Sequence, residues 1–499
     1  MKKYLRAMCL AFAVLMILSA VSCAENSDDE KNSAGNDVSQ TSESETDAKD
    51  LSYVSELPSS VKFDGETVRI LSLDSAGLND ELYVEEGNTG NNVNDAVYAR
   101  NLAIEDRLGI DLEITLDSNA MANVENNIKA GGSDAMQIYS DSINFTVRSM
   151  IKGYFYDLSE VENLDVEKKY WTQGFRDIAS YGKENKQYLI TGAPSLSLYR
   201  FTFVTIFNKD YFEDAGWEDL YTIVENGDWT LDYQFSLISD VYQELDGKTG
   251  ITEGDFVGLI TGKVISIDPY LTACGIHMIK KDAGTGRWYF DGSTQERVAS
   301  MVDKLKKIYN DSNGVYAFDS ESTVITEKFA SEEGAMATIE LWFLEQTIGQ
   351  IGFNYGIVPM PKFDTNQERY YSYVQDSATS FGILTCAAEN DLPMLGAFLD
   401  QLGYESYQKV VPEYYGRSLS YKFLQDEESQ KMLNLIYETT EYDFVGAFSA
   451  ILNPVIRDEM RTVVTSSADI VGSSYAKWKR GMENTLDRKF NALLDSFDH

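Results

Sequence analysis

From residue 67 onward the chain alternates short apolar runs with amphipathic stretches, and the spacing predicts strands and helices in turn. "TVRILSL" (67–73) is an apolar run of strand length. After a loop rich in Asn, Gly and acids, Asn94 is expected to cap a helix, "DAVYARNLAIEDRLG". Val97, Ile104 and Leu108 share one face of that helix, and Gly109 ends it. "IDLEIT" alternates Ile110, Leu112 and Ile114 as a second strand; a helix follows near 121–130. "DAMQIYSD" supplies a third strand with Met136 and Ile138 on one side, and another helix runs to about 153. Three strand–helix repeats predict a parallel sheet with helices on both faces. Ligands of such sheets bind outside the carboxyl ends of the strands, where Asp74 follows the first strand and Asp141 the third.

A second region begins at the apolar strand "FTFVTIFN" (201–208), with Thr230 as the expected N-cap of a later helix and a further helix at 294–309. "NYGIVPMPKF" (354–363) reads as a strand ending at two prolines, which suits a crossing between domains; "SFGILT" is a further strand, with helices from about 391. The last helix, near 475–498, carries Trp478, Met482, Leu486, Phe490, Leu493 and Phe497 as a stripe that covers a core.

The N-terminus breaks this pattern. Lys2, Lys3 and Arg6 precede an apolar stretch from Met8 to Leu18, too short for a membrane span, and then small residues. Residues 1–22 are therefore expected to be a signal peptide. "SAVSC" resembles a bacterial lipobox, which makes Cys23 the lipidation residue; an ordinary cleaved signal with an incidental cysteine is the alternative. Residues 23–57 are acidic and polar with few large apolar side chains, a composition that cannot bury a core, so a disordered tether is expected. As a flexible chain it would reach about 30 to 35 Å.

Charge and composition then exclude several functions. With 42 Lys and Arg against 80 Asp and Glu, the net charge of −38 repels phosphate backbones and anionic lipid, so nucleic acid is not an expected partner. Cys274 and Cys386 lie in apolar settings with no metal-binding spacing, and whether they pair is open. The histidines are His277, among apolar residues, and the C-terminal His499; no nucleophile, zinc or phosphate-loop motif is present. Neither a cofactor nor a metal is expected, and no enzyme activity. "DGKTGITEGDF" (Asp246 to Phe256) departs from the calcium-loop pattern and reads as a turn, leaving calcium open.

Seven stretches in order carry a resemblance to a known family: "SAVSC", "NDAVYARNLAIEDRLGIDLEIT", "DAMQIYSD", "TIFNKDYFEDAG", "GDWTLD", "EGAMATIELW" and "YGIVPMPKF". Over residues 60–499 the chain resembles the extracellular solute-binding proteins of bacterial ABC importers, in the sugar-binding group that includes maltose-binding protein. The resemblance implies an α/β fold of two doubly wound lobes joined by a hinge, of the type II periplasmic-binding-protein kind. Lobe 1 is expected at 58–200 plus about 364–410, and lobe 2 at 201–363 plus about 411–499. It implies that Asp74 and Asp141 accept hydrogen bonds from sugar hydroxyls and that Trp342 stacks on a sugar ring. "VISIDPYLTACG" falls where maltose-binding proteins place further aromatics, yet offers only Tyr270, with Asp268 beside it, which argues against a maltodextrin. Tyr83, Tyr415 and Arg417 are further candidates from acidic and aromatic loops.

The chemistry fits, because carboxylates bind polyols through charge-assisted hydrogen bonds and aromatic faces cover apolar sugar faces. The implied protein is a monomeric, lipid-anchored receptor on the outer side of the cell membrane, expected to close by its hinge around a carbohydrate, an oligosaccharide, in the cleft between the lobes and hand it to an ABC permease. The alternatives are another solute in the same fold, such as a peptide or polyamine, a surface glycoside hydrolase with a carboxylate pair, or an adhesion protein.

Overall fold

A computed structural model describes residues 55–132, 134–419, 426–452 and 456–492. The expected signal peptide, Cys23, nearly all of the tether, Leu493, Phe497 and His499 lie outside the described residues. Among the described residues no helix is long and apolar enough to cross a membrane.

The first strand, β1, is Glu66–Leu73. Helix α1, Asn92–Leu108, starts three residues earlier than the sequence implied. Its cap is Asn91, whose side chain accepts from the N–H groups of Val93 and Asn94. Gly109 ends α1 in the left-handed conformation, φ 66°, which a residue without a Cβ adopts at no steric cost. Strand β2 is Ile110–Asp117, α2 is Ala120–Ala130, β3 is Ile138–Ser142 and α3 is Ile143–Met150. Strand β3 begins at Ile138 because both the N–H and the C=O of Met136 are taken by the Asn127 side chain on α2.

The chain leaves this region through a single helical turn, α4, Ser197–Arg200, and enters β4, Phe203–Asn208. Strands β5 (Phe256–Gly262), β6 (Val315–Phe318), β7 (Gly334–Glu340) and β8 (Tyr355–Val358) form the main path of the second sheet with β4, and the two-residue strand Tyr242–Gln243 pairs with β5 beside it. Between them, Thr230 caps its helix as expected, accepting from the N–H of Tyr233, and the 294–309 helix appears as α5, Gln295–Lys306, with a wider turn after it. Helix α6, Leu341–Thr347, follows β7 directly. The chain then returns to lay down β9, Thr379–Ile383, before α7 (Leu392–Glu405), α8 (Glu427–Glu438), α9 (Ile456–Thr465) and α10 (Val471–Thr485). The terminal stripe is buried at Trp478, Met482, Leu486 and Phe490.

The two sheets share one plan. The first has the order β2-β1-β3-β9, with β1, β2 and β3 parallel and β9 antiparallel to β3. The second has the order β6-β5-β7-β4-β8, with β4 antiparallel to both its neighbours. The reversed strand in each sheet is the first one laid down after the chain crosses from the other sheet. A chain arriving across the hinge enters at the edge facing its origin, so its strand runs against the rest. That edge is the carboxyl edge: Phe203 at the start of β4 pairs with Glu340 at the end of β7, and Thr379 at the start of β9 pairs with Ser142 at the end of β3. The carboxyl edges of both sheets therefore flank the crossing segments, which run side by side through the Thr202–Val374 bridge and the bond from the Gln375 N–H to the Phe201 carbonyl, 3.0 Å.

Cys274 and Cys386 are unpaired, Cys274 buried and Cys386 half-buried, which settles that open question.

Candidate functional site

On the carboxyl edge of the first sheet, β1 runs into a turn that carries Asp74. Asp74 is exposed; its N–H donates to the Asp117 carbonyl and its carboxylate accepts from Asn79 Nδ2 at 3.1 Å. Ser72 pairs with Ser140, so Asp141 sits one strand over at nearly the same level, about 5 Å across the sheet. Asp141 is 1% exposed and accepts from Tyr139 Oη and from the N–H of Ser142, 2.6 Å away. Burial pushes its carboxyl up to about 6, against the lowering pull of those hydrogen bonds.

The same turn continues into Asn79–Glu81, and two adjacent acids there grip α4. Glu81 accepts from the N–H of Ser197 at 2.7 Å, while Asp80 takes Arg200 in a bidentate pair, 2.6 and 2.9 Å. Glu81 is 1% exposed, and burial lifts it to about 7 despite these bonds. Arg100 from α1 seals the turn by donating to the carbonyls of Glu81 and Leu82, each 2.9 Å.

On the edge of the second sheet, β7 ends at Glu340, which is fully buried, with Asp268, Glu321 and Asp376 the charges that act on it. Burial, reinforced by those three acids, holds its carboxyl well above the usual carboxylate range. The acids next to it are partly answered from α9: Arg461 donates twice to Asp268 (2.8 and 2.5 Å), and Arg457 donates to both oxygens of Asp376 (3.1 and 3.0 Å). Burial outweighs the arginines at Asp268 and raises it to about 6.

Two residues past Glu340, Trp342 lies half-buried at the start of α6. Its indole rests on Gly77 of the Asp74 turn: a Cβ at Gly77 would stand 3.3 Å from the ring, and its φ of +84° favours glycine as well. Phe201 packs edge-on to the same ring at 6.4 Å between centroids, and the Arg200 guanidinium lies 5.5 Å from the ring centre.

The expected residues thus fall into three groups. Asp74, Asp141 and Trp342 stand on the two facing edges, and the turn after Asp74 touches Trp342. Asp268 and Tyr270 are turned inward: Asp268 is tied to Arg461, and Tyr270, fully buried in the short helix Pro269–Ala273, exposes no face on which a ring could stack. Those two expectations are corrected by packing, since the helix directs Tyr270 into the lobe core. Tyr83 follows the Asp80–Glu81 turn, and Tyr415 packs beside Tyr199 of α4. Tyr83 is 38% exposed at the surface, and Tyr415 donates to Asn434 within a cluster with Tyr199 and Tyr437. The Arg417 side chain is outside the described residues.

Asp80, Glu81, Arg200, Glu340, Asp376 and Arg457 were not foreseen. The only signal was the acid pair opening "DELYVEE", read there for its tyrosine. His277 is structural, its Nδ1 3.5 Å from Asp443. At 246–256, carboxylates of Glu244, Asp246 and Asp255 converge. Asp246 is already bound by Lys248 and Thr252, and Asp255 by two backbone N–H groups, so the loop satisfies itself. A cavity of about 430 Å³ at the far end of β4, lined by Lys209, Trp217 and Asp426, touches none of the expected residues.

No family model matches the chain, and no curated protein sequence matches it. Solved structures do. The galacto-N-biose-/lacto-N-biose I-binding protein of the Bifidobacterium longum ABC transporter, in complex with lacto-N-biose, aligns with TM-score 0.54 at 12% identity, covering 85% of this chain and 98% of that one. A sugar transporter of Rhizobium etli in an open conformation gives 0.53 at 13% identity, over 83% and 98%. An uncharacterized protein of Listeria monocytogenes gives 0.55 at 13% identity, over 84% and 100%. At such identities the likeness is one of fold. The chain has the two-lobed, hinged α/β fold of the sugar-binding proteins of ABC importers.

Proposed function

We propose that this protein is a non-catalytic receptor of an ABC importer that binds a carbohydrate between its lobes and hands it to the permease. The observation that carries the reading is the meeting of two carboxyl edges at one hinge, with Trp342 of the second against the Asp74 turn of the first. A solute seated there touches both lobes at once, which is the condition for a ligand to shift an open–closed equilibrium. Asp74 and Asp141 accept from hydroxyls and Trp342 covers an apolar ring face. The fold neighbour from B. longum, bound to a disaccharide, supports a sugar as the solute class.

On this reading the first sheet, with 58–200 and about 364–410, forms lobe 1, and 201–363 with about 411–499 forms lobe 2. Cys23 carries the lipid, and 24–57 let the monomeric body stand off the outer membrane surface. The test is a thermal-shift screen of protein lacking residues 1–57 against neutral mono- and oligosaccharides, polyamines and short peptides. A ligand at 100 times its Kd stabilises by about 2.7 kcal/mol. A saccharide hit that Trp342→Ala abolishes supports the proposal. Stabilisation by polyamines or peptides alone, or by nothing in the panel, overturns the carbohydrate assignment.

A further inference from the structure

Arg200 belongs to neither expected edge, yet touches both. It ends the turn α4 as the chain leaves the first sheet and is 5% exposed. Toward the first sheet it donates to the Gly77 carbonyl at 2.9 Å and holds both oxygens of Asp80, all within the turn that begins at Asp74. Toward the second, its guanidinium lies 5.5 Å from the centre of the Trp342 ring and its Nε is 3.7 Å from Glu345, one helical turn further along α6. A second ring, Tyr414, lies 5.5 Å away on the segment that follows α7.

We infer that Arg200 is the positioning residue that couples the two halves of the binding site, setting the Asp74 turn and the Trp342 indole against each other across the hinge. A planar, always-charged fork suits this role, because it locks a carboxylate in two bonds while its face stays free for an aromatic ring, and lysine does neither. Glu81 fixes the other end of the same turn through Ser197, so α4 cannot rotate without carrying the Asp80 turn along. The Glu345 pair, at 3.7 Å, is longer than a hydrogen bond and is the contact that opening of the lobes would release first.

The consequence for binding rests on the cleft function proposed above, but the coupling itself is measurable without any ligand. Hydrogen–deuterium exchange of the full chain should show faster exchange for Arg200→Lys in peptides covering both 75–83 and 341–347, by about fivefold or more. Asp80→Asn should accelerate 341–347 as well, although the bonds of Asp80 reach that segment only through Arg200; Asp80→Glu should restore it. For Asp80→Asn, acceleration confined to 75–83, although Gly77 of that turn packs on Trp342, overturns the inference. If Arg200→Lys does not fold, the Asp80 pair decides the matter. A failed saccharide screen with intact coupling would remove the carbohydrate reading and leave the joint standing.

Discussion

The two carboxyl edges share a strand plan but differ in which elements answer their acids. On the first edge Asp74 stays in solvent and Asp141 is satisfied by its own strand and a tyrosine hydroxyl. On the second edge Asp268, Asp376 and Glu340 are all buried, and α9 brings Arg457 and Arg461 down onto the first two. One edge leaves a carboxylate, Asp74, exposed to solvent. The other consumes its carboxylates internally and presents an indole. Equivalent strand order therefore does not produce equivalent chemistry, because the helices packed over each edge differ.

The largest test of this contrast is Arg457→Met. It leaves Asp376 buried with Ser449 Oγ as its remaining side-chain donor. Removing one partner of a buried pair costs about 3–5 kcal/mol, so urea unfolding should show a loss of that size. A loss under about 1 kcal/mol would mean the second edge is no more internalised than the first. Trp342→Ala comes next: a half-buried indole clamped by Gly77, Phe201 and Arg200 should cost about 2 kcal/mol of stability.

The pH dependence is gentler. Glu81 and Asp141 on the first side and Asp268 on the second have folded values raised to about 7, 6 and 6. A carboxyl raised on folding binds its proton more readily in the native state, so its contribution is full below about 4 and is lost as pH rises through the folded value. Stability should therefore climb as pH falls from about 7 to about 4, by at most about 1.4 kcal/mol per pH unit per group. Asp141→Asn should remove the Asp141 part of that slope and leave those of Glu81 and Asp268, and thermal melts across that range will show it. An unchanged slope would mean that Asp141 is not buried as described. The smallest effect is Asp74→Asn, which should shift stability by less than about 0.5 kcal/mol while weakening the solute that the thermal-shift screen identifies.

Much of the scaffold was legible before any coordinates. The three strand–helix repeats, the Gly109 stop, the Thr230 cap and the apolar stripe on the last helix follow from periodicity and local capping chemistry, which act over a few residues. The errors were also local, such as the helix cap set three residues late because Asn91 and Asn94 look alike in composition. The positions of the candidate residues were legible only where strand ends could be counted. Asp74 and Asp141 could be placed by topology, and Trp342 by resemblance. Arg200, Glu340 and Arg457 could not, since nothing in "LYRF", "TIEL" or "VIRD" records which remote residue each will meet.

The order of apolar and polar positions thus determined the class of fold and the strand ends at which Asp74 and Asp141 stand, because hydrogen-bonded periodicity and burial are decided by near neighbours. Which acids face solvent and which are spent on arginines was decided by tertiary structure alone. So was the seating of one guanidinium between the Asp74 turn and the Trp342 ring. Such choices depend on desolvation and on pairings between residues eighty or more positions apart, and only tertiary packing makes them.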